Sequence, residues 1–432
     1  MTAELTSKER ALLSPEIWDC LIIGAGAAGL MAAIQCAKSG LQTILLDSQK
    51  RIGAKILMSG GTRCNVTNDI VRESDYQTNY SKKGVHHVLA SYPSPKLIDF
   101  FQSNGVDLRL ELGGKYFPTT NSAHTVLDSL TQALHQSGAV LKTEQKVRRI
   151  VFEENLFHVM TEGFGFRSRN IMVCTGGLSY PGTGSDGTGY ELAKAFGHSI
   201  IPTIPALSPL LTNDTDFQSL SGIALPVSLT LLIQKQKGVQ YADDFLFTHF
   251  GFSGPAALDM SRHWIRAHEK HSSEIQLEAD FLPRLKESKL REEISASRET
   301  KGLTLKNFLI RYLPERLCAV LLKQCNIPVD QNLNHLRKEL LESLLKAIYH
   351  SPLPISGAFG YKKAEVTAGG ISLEEITLKT MESKLQPGLF FAGEILDVDG
   401  RIGGFNFQWA WSSAVVAAEG VLQKLRPRAL KK

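Results

Sequence analysis

The feature that most constrains this chain is a glycine-rich segment placed directly after a short apolar run. Residues 18–29 read Trp-Asp-Cys-Leu-Ile-Ile-Gly24-Ala-Gly26-Ala27-Ala28-Gly29. Cys20 to Ile23 has the unbroken apolar character of a buried parallel strand, and it stops at Gly24. Ala27 to Ser39 is small and apolar at helical spacing, and Thr43-Ile-Leu-Leu-Asp47 reads as a second strand. Strand, glycine turn, helix and strand make a βαβ unit, whose crossover must be right-handed. The three glycines differ in what they permit. Gly24 allows the tight turn, Gly26 lets backbone approach a pyrophosphate, and Gly29 lets helix and strand touch. The helix N-terminus around Ala27 and Ala28 then points free N–H groups at the phosphates. Asp47, about 20 residues on, stands where an acid accepts hydrogen bonds from a ribose hydroxyl.

A lone G-x-G-x-x-G is a weak signal, but a second segment near the other end of the chain strengthens it. It runs Pro387-Gly-Leu-Phe-Phe-Ala-Gly393-Glu394-Ile-Leu-Asp397-Val-Asp399-Gly400-Arg-Ile-Gly403-Gly404-Phe405-Asn406. The two stretches together read as one FAD site built from distant parts of the sequence. A helix expected from Gln408 to Leu425 would turn its N-terminus, behind Gly403-Gly404, toward the flavin ring. Asp397 is read as a contact to ribityl hydroxyls or phosphates, with a capping acid as the alternative. Between the two segments, Ile52 to Asn68 gathers Lys55, Ser59, Gly60, Arg63, Cys64, Asn65 and Thr67 in a glycine-rich run suited to surrounding a phosphate or a flavin ring. Ser168 to Cys174 reads as a strand that ends in Thr175-Gly176-Gly177 and returns the chain to the nucleotide.

The region between these blocks reads as an insert. Pro202 to Pro209 holds three prolines in eight residues and marks a boundary. From Leu220 to about Leu282 the pattern is one of short β-like runs, and Leu285 to Leu345 is helical and rich in charge. Pro352-Leu-Pro354 marks the return. The expected architecture is therefore α/β: a discontinuous Rossmann-type FAD-binding domain (17–202 and 354–424), an inserted small β-barrel plus helical domain (203–353), and flexible termini (1–16 and 425–432). No second G-x-G-x-x-G follows a strand, so no separate NAD(P)H domain is expected, and NAD(P)H would act as a transient reductant.

Composition narrows the classes further. The chain has 432 residues and a net charge of +5, which permits contact with a polyanion without requiring it. No run approaches the roughly 18 apolar residues of a membrane span. The residues through Ser14 show no apolar leader, so a cytoplasmic protein is expected. Cysteines 20, 36, 64, 174, 318 and 325 match neither a zinc site nor a disulfide framework, and no metal is expected. The insert carries Arg262, Arg266, Lys270, Arg284, Lys286, Lys289, Arg291, Arg298, Lys301, Lys306, Arg311 and Arg316 with acids interleaved. That pattern is either a solvated helix face or a surface that tracks phosphates. The tail Lys424-Leu-Arg426-Pro-Arg428-Ala-Leu-Lys431-Lys432 reads as a solvated end.

These blocks resemble the BaiN-like (YhiN-like) flavoproteins, distant relatives of succinate dehydrogenase and glutathione reductase. The resemblance rests on Ile23 to Gly29, Lys55 to Asn68, Thr175 to Asp186, Leu246-Phe-Thr-His249-Phe-Gly-Phe-Ser253-Gly-Pro255, and Thr367 to Ser413. It implies reductase chemistry on an activated C=C bond, with either a uridine of large-subunit (23S) ribosomal RNA or a steroid-like enone as substrate. A flavin-binding assembly protein without turnover is the third possibility. The family usually has glycine where this chain has Thr62, and often glutamate where it has Asp47. Hydride delivery to such a bond creates an enolate that needs a proton donor. Cys64 and His249 are the candidates, with Tyr180 and Tyr116 behind them.

Overall fold

The computed structural model describes residues 4–271 and 274–426. The chain divides into two compact units: the chain up to Thr203 together with the part from Val366 onward, and Ile204–Glu365.

The first unit is organised by a parallel sheet. Its elements are β1 (Leu13–Ile23), α1 (Ala27–Lys38), β2 (Thr43–Leu46), α2 (Ala54–Thr62), β3 (Val140–Lys142), β4 (Gly165–Val173), β5 (Leu389–Phe391) and α3 (Phe405–Leu425). The strand order is β5-β4-β1-β2-β3, parallel at every step. Cys20 to Ile23 and Thr43 to Leu46 are buried along their whole length. Burial on both faces is why these strands read as apolar runs without alternation. The late segment returns to the sheet as β5, with Ile171 opposite Leu389 and Val173 opposite Phe391. The helix α1 packs on α3, and both are rich in small buried residues, among them Ala32, Ala33, Ala414 and Ala417. Small side chains let the two axes approach closely and carry the glycine turns at their N-termini together.

Two parts of the first unit differ from expectation. The N-terminal segment, expected to be flexible through residue 16, carries regular structure from Ser7 onward. Ser7–Ala11 is a helix closed by a Thr6–Glu9 capping box, and Glu9 pairs with Arg149 at 3.1 Å. β1 itself starts at Leu13. The proline-rich boundary is also regular: Ile200–Ala206 is a strand in a two-stranded sheet with Val366–Ile371. At the other end Lys424 pairs with Glu382 at 2.6 Å, while Arg428, Lys431 and Lys432 lie outside the described residues.

The second unit holds a seven-stranded antiparallel sheet. Its strands run in the order Ser351–Leu353, Ile275–Asp280, Ala224–Ile233, Gln236–Thr248, Gly251–Ser253, Leu210–Leu211 and Gly357–Ala358. The helices Glu287–Ala296, Leu305–Leu309, Glu315–Gln324 and Lys338–Tyr349 supply the rest of a core that includes Phe245, Phe247, Phe252 and Phe281. The β-like reading of residues 220–282 misses an 18-residue helix, Gly254–His271. Its signal is present in the sequence: Pro255 suits a first turn, and the buried Ala256, Ala257, Met260, Trp264 and Ala267 recur at helical spacing.

Candidate functional site

The glycines of the first segment separate into two kinds. A Cβ on Gly29 would lie 1.7 Å from the Gly24 carbonyl oxygen, and one on Gly24, at φ +100°, would lie 2.6 Å from the Cys174 oxygen. These two let α1, β1 and the end of β4 meet. A Cβ on Gly26 would meet nothing within 4 Å, so no protein atom requires a glycine there. Gly26 is the N-cap of α1 and supplies no side-chain cap, so the helix N-terminus keeps its free donors. Asp47 steadies the turn from β2. Its carboxylate accepts from Ala25 N at 2.6 Å and from Gln49 N at 2.7 Å. Burial raises the pKa of this acid, and the two amide bonds oppose the rise.

The second segment arrives at the same place. A Cβ on Gly393 would stand 2.9 Å from the Ala28 Cβ, so the end of β5 touches the first turn of α1. The Gly393 backbone is held on both sides, accepting from Trp409 Nε1 at 3.1 Å and donating to Ser413 Oγ at 2.9 Å. Gly404 is the uncapped N-cap of α3 at φ +92°, and a Cβ there would press on the Thr67 carbonyl at 2.6 Å. Helix α3 begins at Phe405 rather than Gln408. Asn65 Oδ1 is buried with no hydrogen-bond partner, beside that helix start. Two uncapped helix N-termini, open space at Gly26 and a buried carbonyl oxygen without a donor fit a ligand that brings phosphates and N–H groups.

Lys55 and Glu394, read as cofactor contacts, turn out to meet each other across 339 residues. Lys55 Nζ lies 2.5 Å from Glu394 Oε2 and 2.5 Å from Ser179 Oγ. Ser179 Oγ donates to Glu394 Oε1 at 2.8 Å, and Thr367 N donates to the same oxygen at 3.0 Å. Thr367 Oγ1 in turn accepts from Leu178 N at 2.7 Å and Ser179 N at 3.1 Å. This network ties the loop behind Thr175-Gly176-Gly177 to α2 and to the second segment. Gly177 belongs to it sterically, since a Cβ would lie 2.4 Å from Thr367 Oγ1. Ser179 and Thr367 carry no glycine or charge to flag them individually, although both lie within the blocks that carry the resemblance. Asp397 is likewise buried and accepts from Asn79 N at 2.8 Å, a partner the sequence does not signal.

The loop from Ser59 to Thr67 is the most strained part of the site. The helical span of α2 breaks at Ser59, Gly60 and Gly61, and Thr62 and Cys64 follow with φ of +70° and +60°. A β-branched residue in the left-handed region is unfavourable by roughly 1–2 kcal/mol. Thr62 stands where the resembling family has glycine, and the backbone there still has the glycine conformation. Thr62→Gly is expected to raise stability by about 0.5–1 kcal/mol, the strain relief less the added freedom of the unfolded chain. A thermal melt of the two proteins checks this, and a lower Tm for the variant would contradict it.

The catalytic reading of Cys64 is corrected. The thiol is fully buried, and burial pushes its pKa up to about 12, which leaves it a packing group rather than a proton donor poised near neutrality. Arg63 lies over the Phe117 ring at 3.9 Å and pairs with Glu111 at 2.6 Å. Thr67 buries its hydroxyl against Gln408 Oε1 at 2.6 Å, and Ser59 Oγ donates to Ile56 O at 2.7 Å. Asn406 clasps its own turn, accepting from Gly400 N at 2.7 Å, and the Phe405 ring packs edge-on to Tyr76. The side chains of Thr67, Phe405 and Asn406 thus shape the backbone of the site. Tyr116 donates to Asp69 at 3.2 Å, and Tyr180 is half-buried at φ +52°. His249 belongs to the second unit, exposed in the turn between Gln236–Thr248 and Gly251–Ser253.

Comparison with known proteins decides the family. The HI0933-like protein Rossmann domain matches residues 18–420. The chain belongs to this family. It is 37% identical over 405 residues to the ribosomal RNA dihydrouridine synthase of Haemophilus influenzae, covering 92% of this chain and 97% of that protein. It is 33% identical to the Escherichia coli protein of the same name, covering 94% and 98%. A 3-dehydro-bile acid delta(4,6)-reductase of Clostridium scindens is 30% identical, covering 93% and 98%. Among solved structures, the 3-ketosteroid delta1-dehydrogenase of Sterolibacterium denitrificans aligns with a TM-score of 0.51 at 12% identity, over 94% of this chain and 100% of that one, a likeness of fold. As a member of the HI0933-like family the protein is an FAD-dependent oxidoreductase with a Rossmann-type domain. No helix among the described residues is long and apolar enough to cross a membrane.

Proposed function

We propose that this protein reduces the C5=C6 bond of a uridine in large-subunit ribosomal RNA, drawing its electrons from NAD(P)H and working in the cytoplasm. The observation that carries the reading is the full-length identity of 37% and 33% to two proteins named for that reaction, joined to a site whose glycine turns and helix starts are intact. FAD, when bound, supplies the hydride that reaches the substrate. The residues that would hold it are Gly26 with Ala27, Ala28 and the start of α1 for the pyrophosphate, and Asp47 for a ribose hydroxyl. Each Asp47 oxygen still has a lone pair beyond its amide bond. Asn65, Gly403 and Gly404 at the start of α3 would face the ring, where the helix N-terminus favours the negative charge of a reduced flavin. The Lys55–Glu394–Ser179 network, through Thr367, holds the backbone of Leu178 and Ser179 just behind Thr175, Gly176 and Gly177.

The relative that reduces a bile acid supports a second reading, a small-molecule enone reductase. Mass spectrometry of ribosomal RNA separates the two. A strain lacking the gene is expected to lose a dihydrouridine that a plasmid copy restores. Unchanged dihydrouridine in the deletion strain overturns the first reading.

The helical part of the insert offers less to RNA than its composition suggests. Arg291 pairs with Glu287 and Glu342, Lys306 with Glu315, and Lys289 with Glu292, while Arg262 is buried. Many of these cations are already engaged, as on a solvated face of mixed charge.

A further inference from the structure

A two-residue strand draws three parts of the second unit to one place. Leu210–Leu211 pairs with Gly251–Ser253 on one side and with Gly357–Ala358 on the other. The register places Phe250 just beyond the Leu211 end of that strand, with His249 before it, and Phe359 just beyond the Leu210 end, and the side chains close the gap between them. The backbone fixes both, with Thr212 N donating to Phe250 O at 3.0 Å and Phe359 N donating to Pro209 O at 3.2 Å. The ring centroids of His249 and Phe250 are 4.9 Å apart at 79°, and those of Phe250 and Phe359 are 4.7 Å apart at 89°. The rings are held edge to face, and neither pair is stacked. They are not core residues, since His249 is exposed and Phe359 keeps 37% of its surface in water. The chain then continues Gly360-Tyr361-Lys362-Lys363 with both lysines exposed, and no acid lies between Ser356 and Ala364.

We propose that this cluster is a docking platform for single-stranded RNA, with Phe359 stacking on a base and Lys362 and Lys363 contacting the neighbouring phosphates. The inference rests on the RNA reading above and locates substrate recognition at a particular surface. Rigid, exposed aromatic rings beside cations are what an unpaired strand requires, since every base offers a face and every linkage a charge. A steroid-like molecule calls instead for enclosed apolar walls, and it gains nothing from the two lysines. His249 thereby moves from proton donor to part of the binding surface.

The test is equilibrium binding of the holoprotein to a short labelled oligouridine over a range of salt. Phe359→Ala is expected to weaken binding about tenfold or more, and Phe359→Trp, which keeps a stacking face, to retain it. The exposed pair Lys362→Gln/Lys363→Gln is expected to lower the slope of log affinity against log salt by about 1.4, two phosphates on a single strand. Equal affinity for the alanine and tryptophan variants, or an unchanged slope, overturns the platform. Complementation separates this from failure of the functional reading. If the wild-type gene restores dihydrouridine to the deletion strain and the combined Phe359→Ala/Lys362→Gln/Lys363→Gln variant restores it equally, the platform falls and the reading stands. If ribosomal RNA from the deletion strain already contains its dihydrouridine, the reading falls whatever the affinities.

Discussion

Gly29→Ala is expected to destabilise the first unit by more than about 4 kcal/mol, and Gly24→Ala to do nearly as much, whether or not cofactor is present. The added Cβ of Gly29→Ala would stand 1.7 Å from a backbone oxygen, a position no rotamer change can relieve. At Gly24 the clash at 2.6 Å is joined by a φ of +100° that an L side chain rarely adopts. Gly26→Ala is expected to behave otherwise. Its φ of −82° suits alanine, and the new methyl meets no protein atom within 4 Å. The apo variant should melt within about 1 kcal/mol of the apo wild type, the loss of a glycine N-cap being a small effect. Its flavin content, read from absorbance per polypeptide, should nevertheless fall about tenfold or more, because the methyl occupies the approach to the pyrophosphate. Melting and flavin content together separate glycines that build the fold from the one that serves a ligand. A Gly26→Ala protein with full flavin would contradict the assignment.

Lys55→Met is the second change with a large expected effect. It leaves the Glu394 carboxylate facing Ser179 without its cation. Breaking a fully buried pair is destabilising by roughly 3–5 kcal/mol. Here the side chains keep 26% and 18% of their surface, so solvent screens part of the loss and about 1–2 kcal/mol is expected. Glu394→Gln should cost a similar amount, because it strands the ammonium and weakens the acceptor of Thr367 N. The double variant should be less destabilised than the sum of the two singles, since the second change removes a partner already lost. Chemical denaturation of the four proteins measures the coupling. Strict additivity would show that the two groups act independently and would contradict the network.

Much of the first unit is legible in the sequence because its signals are local. Gly24, Gly26 and Gly29 after Cys20–Ile23 dictate strand, turn and helix within a dozen residues, and Asp47 closes the next strand where expected. The return of the late segment is legible because Gly393 and Gly403-Gly404 punctuate it in the same way. Pairings across the chain are not legible. Lys55, Ser179, Thr367 and Glu394 are each visible as polar residues in loops, but no spacing rule joins positions so far apart. The role of Cys64 fails for a related reason: sequence shows the thiol beside Arg63, and only the fold shows that it is sealed from water. The helix Gly254–His271 is lost between strong β patterns on either side, although its own periodicity is clear once Pro255 is taken as a first-turn residue.

The measurement that bears most directly on the central claim is stopped-flow reoxidation of the flavin in the purified holoprotein after reduction by NAD(P)H. A ribosomal RNA fragment carrying the target uridine and a cyclic enone are offered separately, without oxygen. Fast reoxidation by the RNA is expected, with one dihydrouridine formed per flavin reoxidised, and slow reoxidation by the enone. Fast turnover of the enone with an inert RNA would contradict that claim and would place this protein with the small-molecule reductases of its family.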